Sequence, residues 1–136
     1  MATDDAADRG RRGASPAVSA VLGIDRTVHE PARLVILAIL NGAEEVDFRF
    51  LSAASGLSKG NLSRQTANLA EAGYIEIRKY FRGRIPATGY RITKAGRAAL
   101  RAYWETMEAL QRGQRPPDGQ ADDAEPPGAR PAPHGA

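Results

Sequence analysis

The sequence predicts a mainly helical α+β domain, and three observations lead to that expectation. Two short helical stretches flank the glycine-containing break "SGLS" at Ser55–Ser58. Two alternating segments, "YIEIRKYF" and "TGYRIT", flank a turn rich in Gly and Pro. A stripe of apolar residues then runs along "KAGRAALRAYWETMEALQ".

Taken in order, a first short helix is expected around Ala17–Val28. The next starts at Pro31, whose missing N–H has no intrahelical partner in a first turn, and stops at Asn41-Gly42. Its residues Leu34, Val35, Leu37, Ala38 and Leu40 cover most of the helix circumference, which predicts a central place. "EEVDF" reads as a very short strand leading to Asp47, a good N-cap for "FRFLSAAS", which Gly56 ends. Phe48, Leu51 and Ala54 or Ser55 are spaced to face inward. Ser58 caps a further helix over residues 58–72, ended by Gly73. Two short helices joined by such a turn form a helix-turn-helix. In "YIEIRKYF", Ile75 and Ile77 alternate with Glu76 and Arg78, which is strand periodicity. "RGRIPA" is a turn, and Thr88, Tyr90 and Ile92 share one face of the second strand. The pair reads as a hairpin with a basic tip at residues 82–86. Thr93 caps the last helix, where Leu100, Tyr103, Met107 and Leu110 form one continuous stripe with Trp104 beside it. This order is a winged helix-turn-helix with a two- to three-stranded wing sheet.

Composition bounds the domain. Residues 1–17 and 113–136 are rich in Gly, Pro, Ala and charge, with no apolar run to offset the entropy of ordering them, so both are expected to be disordered tails around a folded unit at 18–112. The net charge of +3 hides an asymmetry: residues 59–101 hold ten Lys/Arg against only Glu71 and Glu76. A basic stretch inside a folded unit points to a polyanionic partner. The sequence has no cysteine, which removes disulfides, thiolate chemistry and zinc–cysteine sites. The start lacks the apolar core of a signal peptide, and the longest apolar run, "LVILAIL", is too short to span a bilayer. A soluble, cytoplasmic protein with no membrane contact is expected.

On a wheel of about 100° per residue, Leu62, Thr66, Leu69 and Gly73 of the helix at 58–72 cluster toward the core. The opposite face gathers Gly60, Arg64, Ala67, Asn68 and Glu71, flanked by Asn61 and Ser63, with Lys59 in the first turn. Gly60 and Ala67 permit close approach. Arg64 suits the O6/N7 edge of guanine and Asn68 the edge of adenine. Lys59, Asn61 and Ser63 suit phosphate oxygens, helped by the helix N-terminus. That face predicts entry into the major groove of double-stranded DNA. Arg82 and Arg84, separated by Gly83, suit the adjacent minor groove or the backbone; Arg78 and Lys79 are further candidates that solvation explains equally well.

Residues 22–104 resemble the winged-helix transcriptional regulators of the MarR and ArsR kind. The resemblance rests on "HEPARL" with Ile36-Leu37, on "GLSKGNLSR" at Gly56–Arg64, on "LAEAGY" at Leu69–Tyr74 and on "YRITKAGR" at Tyr90–Arg97. It covers about 80 of 136 residues and is specific only in combination. The resemblance implies a homodimeric DNA-binding regulator with the terminal helix in the dimer interface, hence a dimerisation set of Leu100, Tyr103, Trp104, Met107 and Leu110. Two departures are visible. Thr66 stands where the pattern has leucine, which predicts a looser core, and "PATGY" lacks a basic residue between Pro86 and Thr88.

Other readings stand beside these. His29 is best explained as a satisfied structural histidine, and His134 as solvated. Glu44-Glu45 reads as an exposed loop pair, and no His/Asp/Glu spacing suggests a metal site. Tyr103 and Trp104 suit either a dimer interface or an effector pocket. There is no nucleophile set and no phosphate-binding Gly loop, so no enzyme and no cofactor is expected. The alternative function is a winged-helix protein-interaction module without DNA readout; the basic balance of residues 59–101 argues against it.

Overall fold

The computed structural model describes residues 15–113. The expected tails lie outside those residues except at their inner ends, where Pro16, Ala17 and Gly113 are helical. Helix α1 (Pro16–Leu22) starts on Ser15, whose side chain accepts from the Val18 amide. It stops well before the expected Val28. Gly23 closes it, and Asp25 then turns the chain by accepting from the Thr27 amide at 2.9 Å. Val28 is nevertheless fully buried.

Helix α2 (Pro31–Asn41) is capped by Glu30, whose carboxylate accepts from the Arg33 amide at 2.8 Å. It is not apolar on every side toward protein. Ile36, Leu37 and Leu40 enter the core, while Val35 and Ala38 face solvent. Strand β1 (Val46–Asp47) leads into α3 (Phe48–Ser55), with Asp47 accepting from the Phe50 amide at 2.8 Å. Gly56 ends α3 at φ +71°, a conformation in which a side chain is strained, and this sets the tight turn into α4 (Lys59–Glu71). Ser58 caps α4 by accepting from the Asn61 amide at 3.1 Å.

Strands β2 (Ile75–Arg82) and β3 (Ile85–Ile92) pair antiparallel from Ile75↔Ile92 to Arg82↔Ile85, and β1 joins the other edge of β3 at Val46↔Tyr90. The sheet thus has three strands in the order β1-β3-β2. The turn is shorter than expected, only Gly83-Arg84. Gly83 sits at φ +69° and Arg84 at negative φ, the pattern of a two-residue hairpin turn. Pro86 is accommodated inside β3 because β1 covers only Gly89 and Tyr90, so β3 is an open edge where proline lies.

Helix α5 (Lys94–Gly113) is capped by Thr93, which accepts from the Gly96 amide and donates to the Gly73 carbonyl at 2.7 Å. A Cβ at Gly96 would collide with the Tyr74 carbonyl oxygen, so α5 begins hard against the α4–β2 turn. Helix α1 lies along α5. One core joins Ile36, Leu37 and Leu40 to Leu51, Leu62, Leu69, Ile75, Tyr90, Ile92 and Leu100. Thr66 is buried within it. The residue is 2 % exposed, and its hydroxyl donates to the Leu62 carbonyl at 2.8 Å, so the buried oxygen is satisfied.

Candidate nucleic-acid interface

Leu62, Thr66 and Leu69 anchor α4 on the core, and that anchoring turns the opposite side of the helix outward. Lys59, Gly60, Ser63, Arg64, Ala67, Asn68 and Glu71 are all exposed, and Asn61 is half-buried. Gly73 is not on the core face as the wheel placed it, because the helix has already ended at Glu71 and Gly73 lies in the exposed turn that follows. No acidic residue lies in the first turn of α4, so the unpaired amides there keep their positive end toward solvent.

Side chains on this face are partly organised. Arg64 donates to Asn61 Oδ1 at 3.0 Å, and Gln65 donates to the same oxygen at 3.1 Å. Gln65 Oε1 in turn accepts from Arg33 on α2 at 2.9 Å. Arg33 also donates to the backbone carbonyls of Thr27 and Arg26. Lys59 and Arg64 form no ion pair among the described residues.

The wing brings Arg82 and Arg84 to either side of Gly83. Arg84 is exposed without an ion-pair partner among the described residues. Arg82 donates to the Tyr80 hydroxyl at 3.2 Å and lies 3.8 Å from the Asp47 carboxylate. Arg78 has a different fate. It grips Glu45 with two hydrogen bonds, the shorter at 2.7 Å, and stacks over the Tyr80 ring. Glu45 is therefore an ion-pair partner rather than a free loop residue. The Arg78 guanidinium holds the Glu45 carboxyl below the usual carboxylate range, and Glu45 raises Arg78 in return. Arg91 is likewise paired with Glu76 at 2.7 Å, and Arg97 donates to Asn41. Lys59 and Arg64 on α4 and Arg84 at the wing tip thus stay open, as does Lys79 on β2, while Arg78 and Arg91 on the sheet are paired with carboxylates.

The residues expected at a dimer interface divide. Leu100 and Tyr103 are 3 % and 6 % exposed and belong to the chain's own core, so they are not open to a partner. Met107 packs against that core, and Leu110 is half-buried. Trp104 is 50 % exposed and meets the Tyr103 ring edge-on. His29 Nδ1 shares a hydrogen bond with the Tyr103 hydroxyl at 3.1 Å, which ties the loop before α2 to α5. The Arg33–Gln65–Asn61 chain and the Glu45–Arg78 pair escaped sequence reasoning. Both join residues more than thirty positions apart, and no periodicity marks such pairs. No helix among the described residues is long and apolar enough to cross a membrane.

Comparison with known proteins agrees with this fold. An uncharacterized protein from Methanocaldococcus jannaschii is 38% identical over 72 residues, which is 52% of this chain and 77% of that protein. Among solved structures, a transcriptional regulator homologue from Pyrococcus horikoshii OT3 superposes with a TM-score of 0.62 at 24% identity, covering 65% of this chain and 88% of its own. A MarR-family protein from Porphyromonas gingivalis W83 superposes with a TM-score of 0.52 at 19% identity, covering 63% and 83%. Both share the fold. The sequence model of the winged helix DNA-binding domain matches residues 32–111, from α2 through the wing to α5, and the chain belongs to that family.

Proposed function

We propose that the chain is a sequence-specific transcriptional regulator, a cytoplasmic homodimeric repressor that blocks a promoter by occupying it. The observation that carries this reading is the outward, uncovered face of α4, with Arg64 held in place by Asn61 beside an open Lys59 and Asn68. In the major groove, Arg64 donates to guanine O6 and N7 and Asn68 pairs with adenine. Lys59, Ser63 and the free amide group of Asn61 contact phosphates at the α4 N-terminus. Gly60 lets the backbone come close. Arg84, with Arg82, enters the flanking minor groove or clamps the backbone. The outer part of the α5 stripe, Trp104 with Met107 and Leu110, is the surface for a second copy, and Leu100 and Tyr103 support it from beneath. A symmetric dimer then places two α4 helices about 34–36 Å apart, one turn of DNA.

A gel shift of the purified protein on random duplex at low salt tests the DNA-binding step. Retardation that weakens steeply with added salt is expected. Phe81 and Ile85 on the wing are 69 % and 70 % exposed, which favours the alternative of a protein-docking module. No retardation at any salt would select that alternative.

A further inference from the structure

The hydrogen bonds behind Arg64 have a direction that the chemistry of their end members dictates. Arginine has only donors. Arg33 therefore requires the oxygen of Gln65, and receives it at 2.9 Å. With its oxygen turned to Arg33, Gln65 can only donate onward, and its Nε2 meets Asn61 Oδ1 at 3.1 Å. Asn61 is thereby made to present its oxygen, the one group that a second arginine can use, and Arg64 takes it at 3.0 Å. The far end is fixed, because Arg33 Nε donates to the Thr27 carbonyl at 2.7 Å and its other amine to the Arg26 carbonyl. Gln65 is half-buried on the side of α4 that meets Arg33 of α2, off the exposed face of the helix.

From this geometry we infer that Gln65 is a positioning residue for base selection. It touches no DNA, yet it fixes the amide of Asn61 and so the rotamer of Arg64. The inference rests on the proposed reading of Arg64 as a base contact. The arrangement leaves four of the five guanidinium N–H donors of Arg64 free for a base edge. Loss of Gln65 frees Asn61 to rotate. In half of its orientations Asn61 then presents N–H groups to Arg64, donor against donor, and the guanidinium leaves its fixed position.

The test uses full-length protein and the duplex it enriches from a random pool, together with the three single-base variants at the position that Arg64→Ala relaxes. Gln65→Ala is expected to reduce the preference at that position by at least about threefold, as coupled neighbours do. Preferences elsewhere and the Tm stay near wild type. Gln65→Glu keeps the contact to Arg33 but has no N–H for Asn61, so it loses the same preference, and it serves as the second variant if the alanine form folds poorly. Combining Gln65→Ala with Arg64→Ala adds nothing further at that base. An unchanged preference in both Gln65 variants, with Arg64→Ala still relaxing it, overturns the inference and leaves the base contact standing. A uniform loss of affinity with a lowered Tm also overturns it, as a structural role. If Arg64→Ala relaxes no position, the base contact itself fails and the inference goes with it.

Discussion

Gly60 occupies the second position of α4, where glycine is unfavourable relative to alanine by at most about 0.5–1 kcal/mol. Nothing in the fold calls for it. It is exposed, its φ is not positive, and a Cβ there would meet no atom within 4 Å. The proposed use is outside the protein, in close approach to a nucleic acid backbone. Gly60→Ala is therefore expected to raise stability slightly, by up to about 1 kcal/mol in urea titration, while lowering DNA affinity. A variant that is stabilised and binds DNA as well as wild type would remove Gly60 from the contact surface. Arg64→Ala acts differently at the same scale. It is expected to weaken binding by about 1–3 kcal/mol and relax one base preference, with Tm unchanged because the side chain is exposed. Equal binding across all sequences would contradict its role.

At the scale of elements, the wing divides its arginines between folding and proposed binding. Arg78 is engaged by Glu45 and Tyr80, while Arg84 has no ion-pair partner among the described residues. Arg84→Ala should lower DNA affinity about equally for all sequences and flatten the dependence of log affinity on log salt by roughly one counterion; an identical salt slope would count against a phosphate contact. Glu45 gives the opposite signature, in stability. Its folded carboxyl titrates below its ordinary value of 4.5, so the pairing stabilises at neutral pH and is lost as pH falls below that value. Wild type and Glu45→Gln should therefore differ in Tm at pH 7 and converge in acid. A difference in Tm that stays constant with pH would mean that the Glu45 charge contributes nothing. These elements also mark what the sequence could announce. Caps, glycine stops and strand alternation are local, so Asp47, Ser58 and Thr93 mark the starts of α3, α4 and α5, and Gly56 marks the end of α3. The expected first helix runs past the observed end of α1 because Val28, apolar and buried, continues the pattern after the chain has turned at Asp25. The pairings of Arg78 with Glu45, Arg97 with Asn41 and Gln65 with Arg33 are invisible because they are distant in sequence and set by packing.

For the molecule as a whole, the question is which face meets a second copy. The apolar stripe of α5 was legible, but its division was not. A stripe predicts burial without saying against what, and here Leu100 and Tyr103 face the chain's own core while Trp104 stands half exposed. The proposed dimer accordingly depends on Trp104. Trp104→Glu is expected to give a folded monomer by sedimentation, with sharply weaker operator binding, and a variant that stays dimeric would relocate the interface. The proposed function rests on α4 as a reader of sequence. Enrichment of duplexes from a random pool by the purified protein tests that most directly. The expected result is a pseudo-palindrome with half-sites one helical turn apart, in which Arg64→Ala blurs one base pair of each half. Recovery of duplexes with no shared sequence, at salt where binding persists, would contradict it.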